Sequence, residues 1–222
     1  MKKEPKDHTL ALVKAGVSAV PIVGGTIASL IGDYIPTATQ KSIDKSIDIL
    51  KARLEMLGNR VDTEYIKKDE FSELFKTCYL IMVRTHQEKK LQGAAELIAN
   101  ILLKEGDSEK LSYTELDHFA RCLDALSIGA IQVLGHCVDL AKRRKGTISD
   151  NRNIRFDFTD IHRCVTHMPV DLIMGLLEEL NSFHLIHLTG APSVRTPNYG
   201  NYPIEVPPIG FRFATCILGQ VN

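Results

Sequence analysis

Ile43, Ile47, Leu50, Leu54, Leu57 and Val61 follow one another at alternating spacings of four and three. A helix brings residues so spaced onto one side, and Asp44, Lys45, Asp48, Lys51, Arg53 and Glu55 then fall on its outer faces. The pattern predicts a helix seam of under three heptads, better suited to a long helix in a local bundle than to a free-standing coiled coil. Gly58 lies inside the run and is expected to end the regular helix.

Helical spacing continues to about residue 143. Asp69 to Arg84 places Phe71, Leu74, Phe75, Cys78 and Met82 on one side. Thr85-His86-Gln87-Glu88 has the form of a capping box and predicts a helix start. Leu91, Ala95, Ile98 and Leu102 would face inward from that helix, with Gly106 stopping it. Ser112-Tyr113-Thr114-Glu115 is a second such box, opening a helix lined by Leu116, Phe119, Ala120, Leu123 and Leu126. Ser127 is placed to cap one more, lined by Ile128, Ile131, Leu134, Val138 and Ala141.

The character changes after Lys142. Residues 142–158, KRRKGTISDNRNIRFDF, are polar and basic and read as a loop or weak strand. Pro169 starts a strong helix with Leu172, Ile173, Leu176, Leu177 and Leu180 inward. His184 to Gly190 alternates like a strand, a loop rich in Pro, Gly and Asn follows, and Gly210 to Leu218 is expected to return as the second strand. Helix, loop, helix and a hairpin with a long tip is the element order of a winged helix-turn-helix. Leu176 to Gly190 resembles the recognition helix and first wing strand of that family. The expected fold is therefore mainly α: an N-terminal helical hairpin and an antiparallel bundle over residues 1–126, then a small winged-helix-like α+β module over 127–222.

Little in the chain points to catalysis. No phosphate-loop, dinucleotide-binding, nucleophile-elbow or zinc-protease motif occurs, and no cofactor or small-molecule substrate is indicated. Five scattered cysteines (Cys78, Cys122, Cys137, Cys164 and Cys216) read as reduced thiols on mostly apolar faces. Cys164–His167 and His184–His187 have the spacing of zinc-ligand pairs, but residues three apart on a strand point to opposite faces, so no metal site is assigned. Cys137 beside His136, and Cys164 near His162, have no identifiable orienting group or oxyanion donor.

Lys+Arg and Asp+Glu both number 27, so attraction to nucleic acid or lipid must be local. The one basic patch comprises Lys142, Arg143, Arg144, Lys145, Arg152 and Arg155, a candidate nucleic-acid contact or simply a helix C-terminus and solvated loop. From Pro169 onward only Arg195 and Arg212 are basic, against Asp171, Glu178, Glu179 and Glu205. Protein contact is expected of the winged helix, and a DNA-binding regulator using residues 142–155 is the rival.

Residues 15–36, AGVSAVPIVGGTIASLIGDYIP, form the other unusual stretch. Pro21, Gly24 and Gly25 cut it into pieces about half the roughly 20 residues needed to span a bilayer. The start of the chain is a poor leader, because Glu4 and Asp7 spoil its basic region and Lys14 its short apolar run. Two short helices over about 9–35 are expected, either folded onto the bundle or acting in membrane engagement or self-assembly. Val17, Val20, Pro21, Ile22, Val23, Gly24, Gly25, Ile27, Leu30 and Ile31 would carry that role. A Gly-rich apolar hairpin running into a long amphipathic helix resembles the N-terminal segments of HeLo-like membrane-perturbing bundles. The layout also resembles a group of uncharacterised bacterial helical proteins, through Ala19 to Gly25, Arg84 to Lys89 and Leu97 to Leu102. That resemblance implies a bacterial cytoplasmic protein, at most peripheral at the inner membrane, in stress or phage defence. The expected function is a non-enzymatic interaction or effector protein whose partner is another protein or a second copy of itself.

Overall fold

The computed structural model describes residues 40–145, 155–189 and 200–219. The hairpin expected over 9–35, with Val17 to Ile31, lies outside the described residues, as do Pro36 and the wing tip at 190–199. The chain is mainly helical with one small three-stranded antiparallel sheet, and its contacts divide it into residues 1–124 and 125–222.

In the first unit, helix α1 (Gln40–Leu57) ends where the spacing predicts, at Gly58, whose φ of +48° is a conformation that favours glycine. Two 3-10 turns (Gly58–Arg60 and Thr63–Lys67) lead to α2 (Asp69–Arg84), followed by α3 (Glu88–Ile101) and α4 (Tyr113–Ala125). α1 packs against both α2 and α3, and these two pack on each other. Phe71, Leu74, Phe75, Cys78 and Met82 are all buried, as are Leu91, Ala95, Ile98 and Leu102. Ser112 caps α4 as its sequence predicts, its hydroxyl accepting from Glu115 N at 3.3 Å.

Two expectations for this unit need correction. Thr85 does not open α3. It is the C-terminal cap of α2, its N–H donating to Ile81 O at 3.1 Å, and its hydroxyl accepts from Gln87 N at 3.1 Å. The corner between two packed helices consumes the residues read as a capping box, so α3 starts at Glu88. Nor does Gly106 stop α3, which ends at Ile101. Leu103 then forms a strand-like bridge with Val61, and Lys104 N donates to Arg60 O at 2.9 Å. Gly106, with φ +86°, instead turns the loop that follows.

The second unit begins with α5 (Ile128–Lys145), capped by Ser127 Oγ, which accepts from Ala130 N at 3.1 Å. Strand β1 (Arg155–Asp157), α6 (Phe158–Cys164), α7 (Val170–Ser182), β2 (His187–Leu188), β3 (Pro203–Glu205) and α8 (Pro208–Leu218) follow. β3 lies between its neighbours, Phe156 and Leu188 both pairing with Ile204. α5 packs against α6, α7 and α8.

Gly210 to Leu218 is therefore not the return strand. The return strand is Pro203–Glu205, and Pro208 opens a helix that buries Gly210, Phe213, Ala214 and Ile217 at helical spacing. The strand expected from His184 is shorter too. His184 N donates to Asn181 O at 3.0 Å and Leu185 N to Leu180 O at 3.1 Å, a helix-closing pair that puts His184 at φ +57°. Pairing starts only at His187.

Candidate interaction surface

The seam residues Ile47, Leu50, Leu54 and Leu57 are all buried within the first unit, and Val61 with them. Ile43 lies on α1, with its side chain outside the described residues. On the first unit's surface, Arg60 clamps the loop after α3. Its Nε and Nη2 donate to the two oxygens of Asp107 at 2.8 Å each, and Nη2 also reaches Glu109 at 2.8 Å. Those donated bonds hold the Asp107 carboxyl at about 2, below its ordinary range.

Beside this clamp a cleft of about 390 Å³ is lined by Tyr65, Glu70, Glu105, Lys110 and Tyr113, among others. Its polar groups are engaged with one another. Tyr65 donates to Glu70 at 2.8 Å and Tyr113 to Glu73 at 2.9 Å. Lys110 donates to Leu103 O at 2.5 Å, pairs with Glu105 at 3.1 Å and lies over the Tyr65 ring. Desolvation, then the carboxylate acceptors, pushes both phenols up to about 12. Such a cleft offers mainly paired groups to a ligand.

The thiols and imidazoles do not assemble. Cys78, Cys122 and Cys137 are buried, Cys216 is half-buried and Cys164 is exposed. Burial pushes the Cys122 thiol up to about 12 and that of Cys137 up as well, which leaves little reactive thiolate. A contact not anticipated from sequence, His118 Nε2 to Cys122 Sγ at 3.5 Å, joins neighbours one turn apart on α4. His184 sits in the turn closing α7 and not on a strand, so strand alternation does not set its direction relative to His187. Its ring instead meets that of His187 edge-on at 6.4 Å. Among the described residues no three metal-ligating side chains converge.

Lys142 and Arg143 of the basic patch are exposed on the last turns of α5. Arg144 is turned inward to its own module, donating to Asp160 Oδ2 and to Arg155 O, each at 2.6 Å. Arg155 donates to Thr189 Oγ1 at 2.7 Å and faces Glu205 at 3.3 Å. Thus two of the guanidiniums already have carboxylate partners. Arg152 and the Lys145 side chain lie outside the described residues.

α7 has the most distinctive surface. Ile173, Leu176, Leu177 and Leu180 are buried, with Leu176 packed closely on Gly129 of α5. Leu172, expected inward, is instead 49% exposed. At about 100° per residue it sits roughly 90° from the centre of the buried stripe, where a neighbouring element decides its exposure. Val170, Asp171, Gly175 and Glu178 are exposed with it. Glu179 is not available in the same way, because its carboxylate accepts from Ser127 N and, at 2.8 Å, from Ser127 Oγ. The outward face of α7 is thus apolar and acidic, with no cation of its own.

No helix among the described residues is long and apolar enough to cross a membrane. No family model matches the chain, nor does any curated protein or solved structure.

Proposed function

We propose that residues 127–222 are a winged-helix-like module used for protein contact, within a non-enzymatic interaction or effector protein. Support for the winged-helix reading is the order α5, β1, α6, α7, β2, β3 with β3 between β1 and β2. The observation that carries the choice of protein over DNA is the outward face of α7. A helix that reads a major groove presents Arg, Lys, Asn or Gln to bases and gains most of its affinity from phosphates. Here the exposed side chains are Val170, Asp171, Leu172, Glu178 and Ser182, with no Arg, Lys, Asn or Gln among them. Residues 9–35 would serve self-assembly or membrane engagement, as their composition predicts.

The test titrates labelled duplex DNA with the full chain at low and at physiological salt, alongside a photo-crosslinking amino acid placed at Leu172. The reading expects no salt-dependent shift of the duplex and a discrete protein adduct on irradiation. A shift that weakens with salt and disappears on neutralising Arg143, Arg144 and Arg152 would replace it with the DNA-binding regulator. Liposome flotation of the full chain against one lacking residues 1–35 addresses the N-terminal role. Flotation lost with the truncation supports membrane engagement, and an indifferent result from both chains removes it.

A further inference from the structure

We infer that the outward face of α7 docks a basic amphipathic helix of a partner protein, a proposal that rests on the protein-contact reading above. Gly175 stands at the centre of that face, and among the described residues nothing beyond its chain neighbours and its own helix backbone lies within 4 Å of where its Cβ would be. A glycine in an exposed helix interior lacks a side chain to pack and lowers helix stability relative to alanine. At this position it leaves a notch in which another backbone can approach closely, as small residues do wherever helices pack tightly.

The rim of the notch selects the occupant. Leu172 lies one turn before Gly175 and is the exposed large hydrophobic on this side of the helix among the described residues. Asp171 and Glu178 flank the notch on either side. Neither carboxylate takes part in an ion pair among the described residues. They are two turns apart, roughly 10 Å along the axis, so one helix with lysine or arginine at matching spacing can meet both. A small or apolar residue between those cations would sit over Gly175 and against Leu172.

The same charges disfavour other occupants. A second copy docking through this face about a two-fold axis would bring Asp171 and Glu178 against themselves. Duplex DNA and an anionic bilayer are repelled for the same reason. The face therefore fits a cationic, amphipathic protein segment.

The experiment uses the full chain and an amidated, labelled helical peptide with lysines two turns apart and leucine and alanine between them. A second peptide has glutamate in place of each lysine. Fluorescence anisotropy is expected to show the lysine peptide binding at least tenfold more tightly, the preference shrinking as salt rises. The double variant Asp171→Lys/Glu178→Lys should reverse the preference, while Leu172→Ala should weaken binding of either peptide. Both are surface changes, and a thermal scan confirms that the variants fold. Equal binding of the two peptides, no binding, or no reversal overturns the proposal. If that happens while the Leu172 crosslinker still yields a discrete adduct and duplex DNA is ignored, only the partner's chemistry is wrong. DNA binding through the module would instead sink the underlying reading. A self-adduct accompanied by a dimer in sedimentation would make a second copy the occupant and overturn this inference.

Discussion

Replacing Gly210 with alanine would place a methyl carbon 2.0 Å from the backbone oxygen of Leu185, 3.0 Å from its carbonyl carbon and 3.2 Å from Val206 Cγ1. Leu185 is fully buried, and its N–H is held by Leu180 O at 3.1 Å, so neither backbone yields without disturbing the turn after α7. Restoring ordinary contact requires α8 to retreat by more than about 1 Å, opening gaps around Phe213, which is also fully buried. Overpacking costs about 1–3 kcal/mol and more when backbone must move, against a gain of about 0.5 kcal/mol from alanine in the first helical turn. The expected net loss is about 2–3 kcal/mol, or a fall in Tm of roughly 10–20 °C for a unit of this size.

Gly175→Ala is the matched control, because a methyl there meets nothing and should stabilise α7 by about 0.5–1 kcal/mol. Urea unfolding of both variants, comparing midpoints at unchanged slope, checks the pair. A Gly210→Ala midpoint equal to that of the wild type would refute the close approach of α8 to Leu185. Equal losses in the two variants would reduce the effect to glycine chemistry in general.

Tyr79 is 2% exposed and its hydroxyl has no hydrogen-bond partner among the described residues, so Tyr79→Phe should raise stability by about 1 kcal/mol, read from thermal unfolding. Asp107 is bound by Arg60 and titrates at about 2 in the folded chain, below its unfolded value. The native state therefore binds fewer protons, and the stabilisation is complete above pH about 4 and lost as pH falls towards 2. Stability curves of the wild type and Arg60→Gln should converge across that window, and parallel curves would refute the linkage. Alkylation of the native chain should label Cys164 first and Cys216 more slowly, with Cys78, Cys122 and Cys137 modified only on unfolding. Peptide mass mapping reads the order, and early labelling of Cys137 would contradict its burial.

Much of the helical framework was legible in the chain because its signals are local. The stripes from Phe71 to Met82 and from Leu116 to Leu126 are buried as their spacing predicts, and Ser112 and Ser127 cap the helices that follow them. The lack of cations on α7 was equally plain, since it needs only the residue types.

What sequence spacing could not settle was every feature in which two segments compete for the same residues. Thr85 satisfies the capping pattern, yet it was claimed as the end of α2 because the helix corner needed extended residues there. Phe211 and Phe213 alternate like a strand, yet three-residue strands carry too weak a pattern to fix a register, and burying Gly210 against Leu185 made that segment a helix. Arg144 reads as part of a basic strip until folding brings Asp160 to it. Composition and period thus determined the long helices from Gln40 to Lys145 and at Val170–Ser182, and which faces carry charge, but not the helix at Pro208–Leu218. Tertiary packing alone decided that Leu172 stands in solvent and that the space over Gly175 is open, because exposure at the edge of a helix stripe depends on which neighbours arrive to cover it.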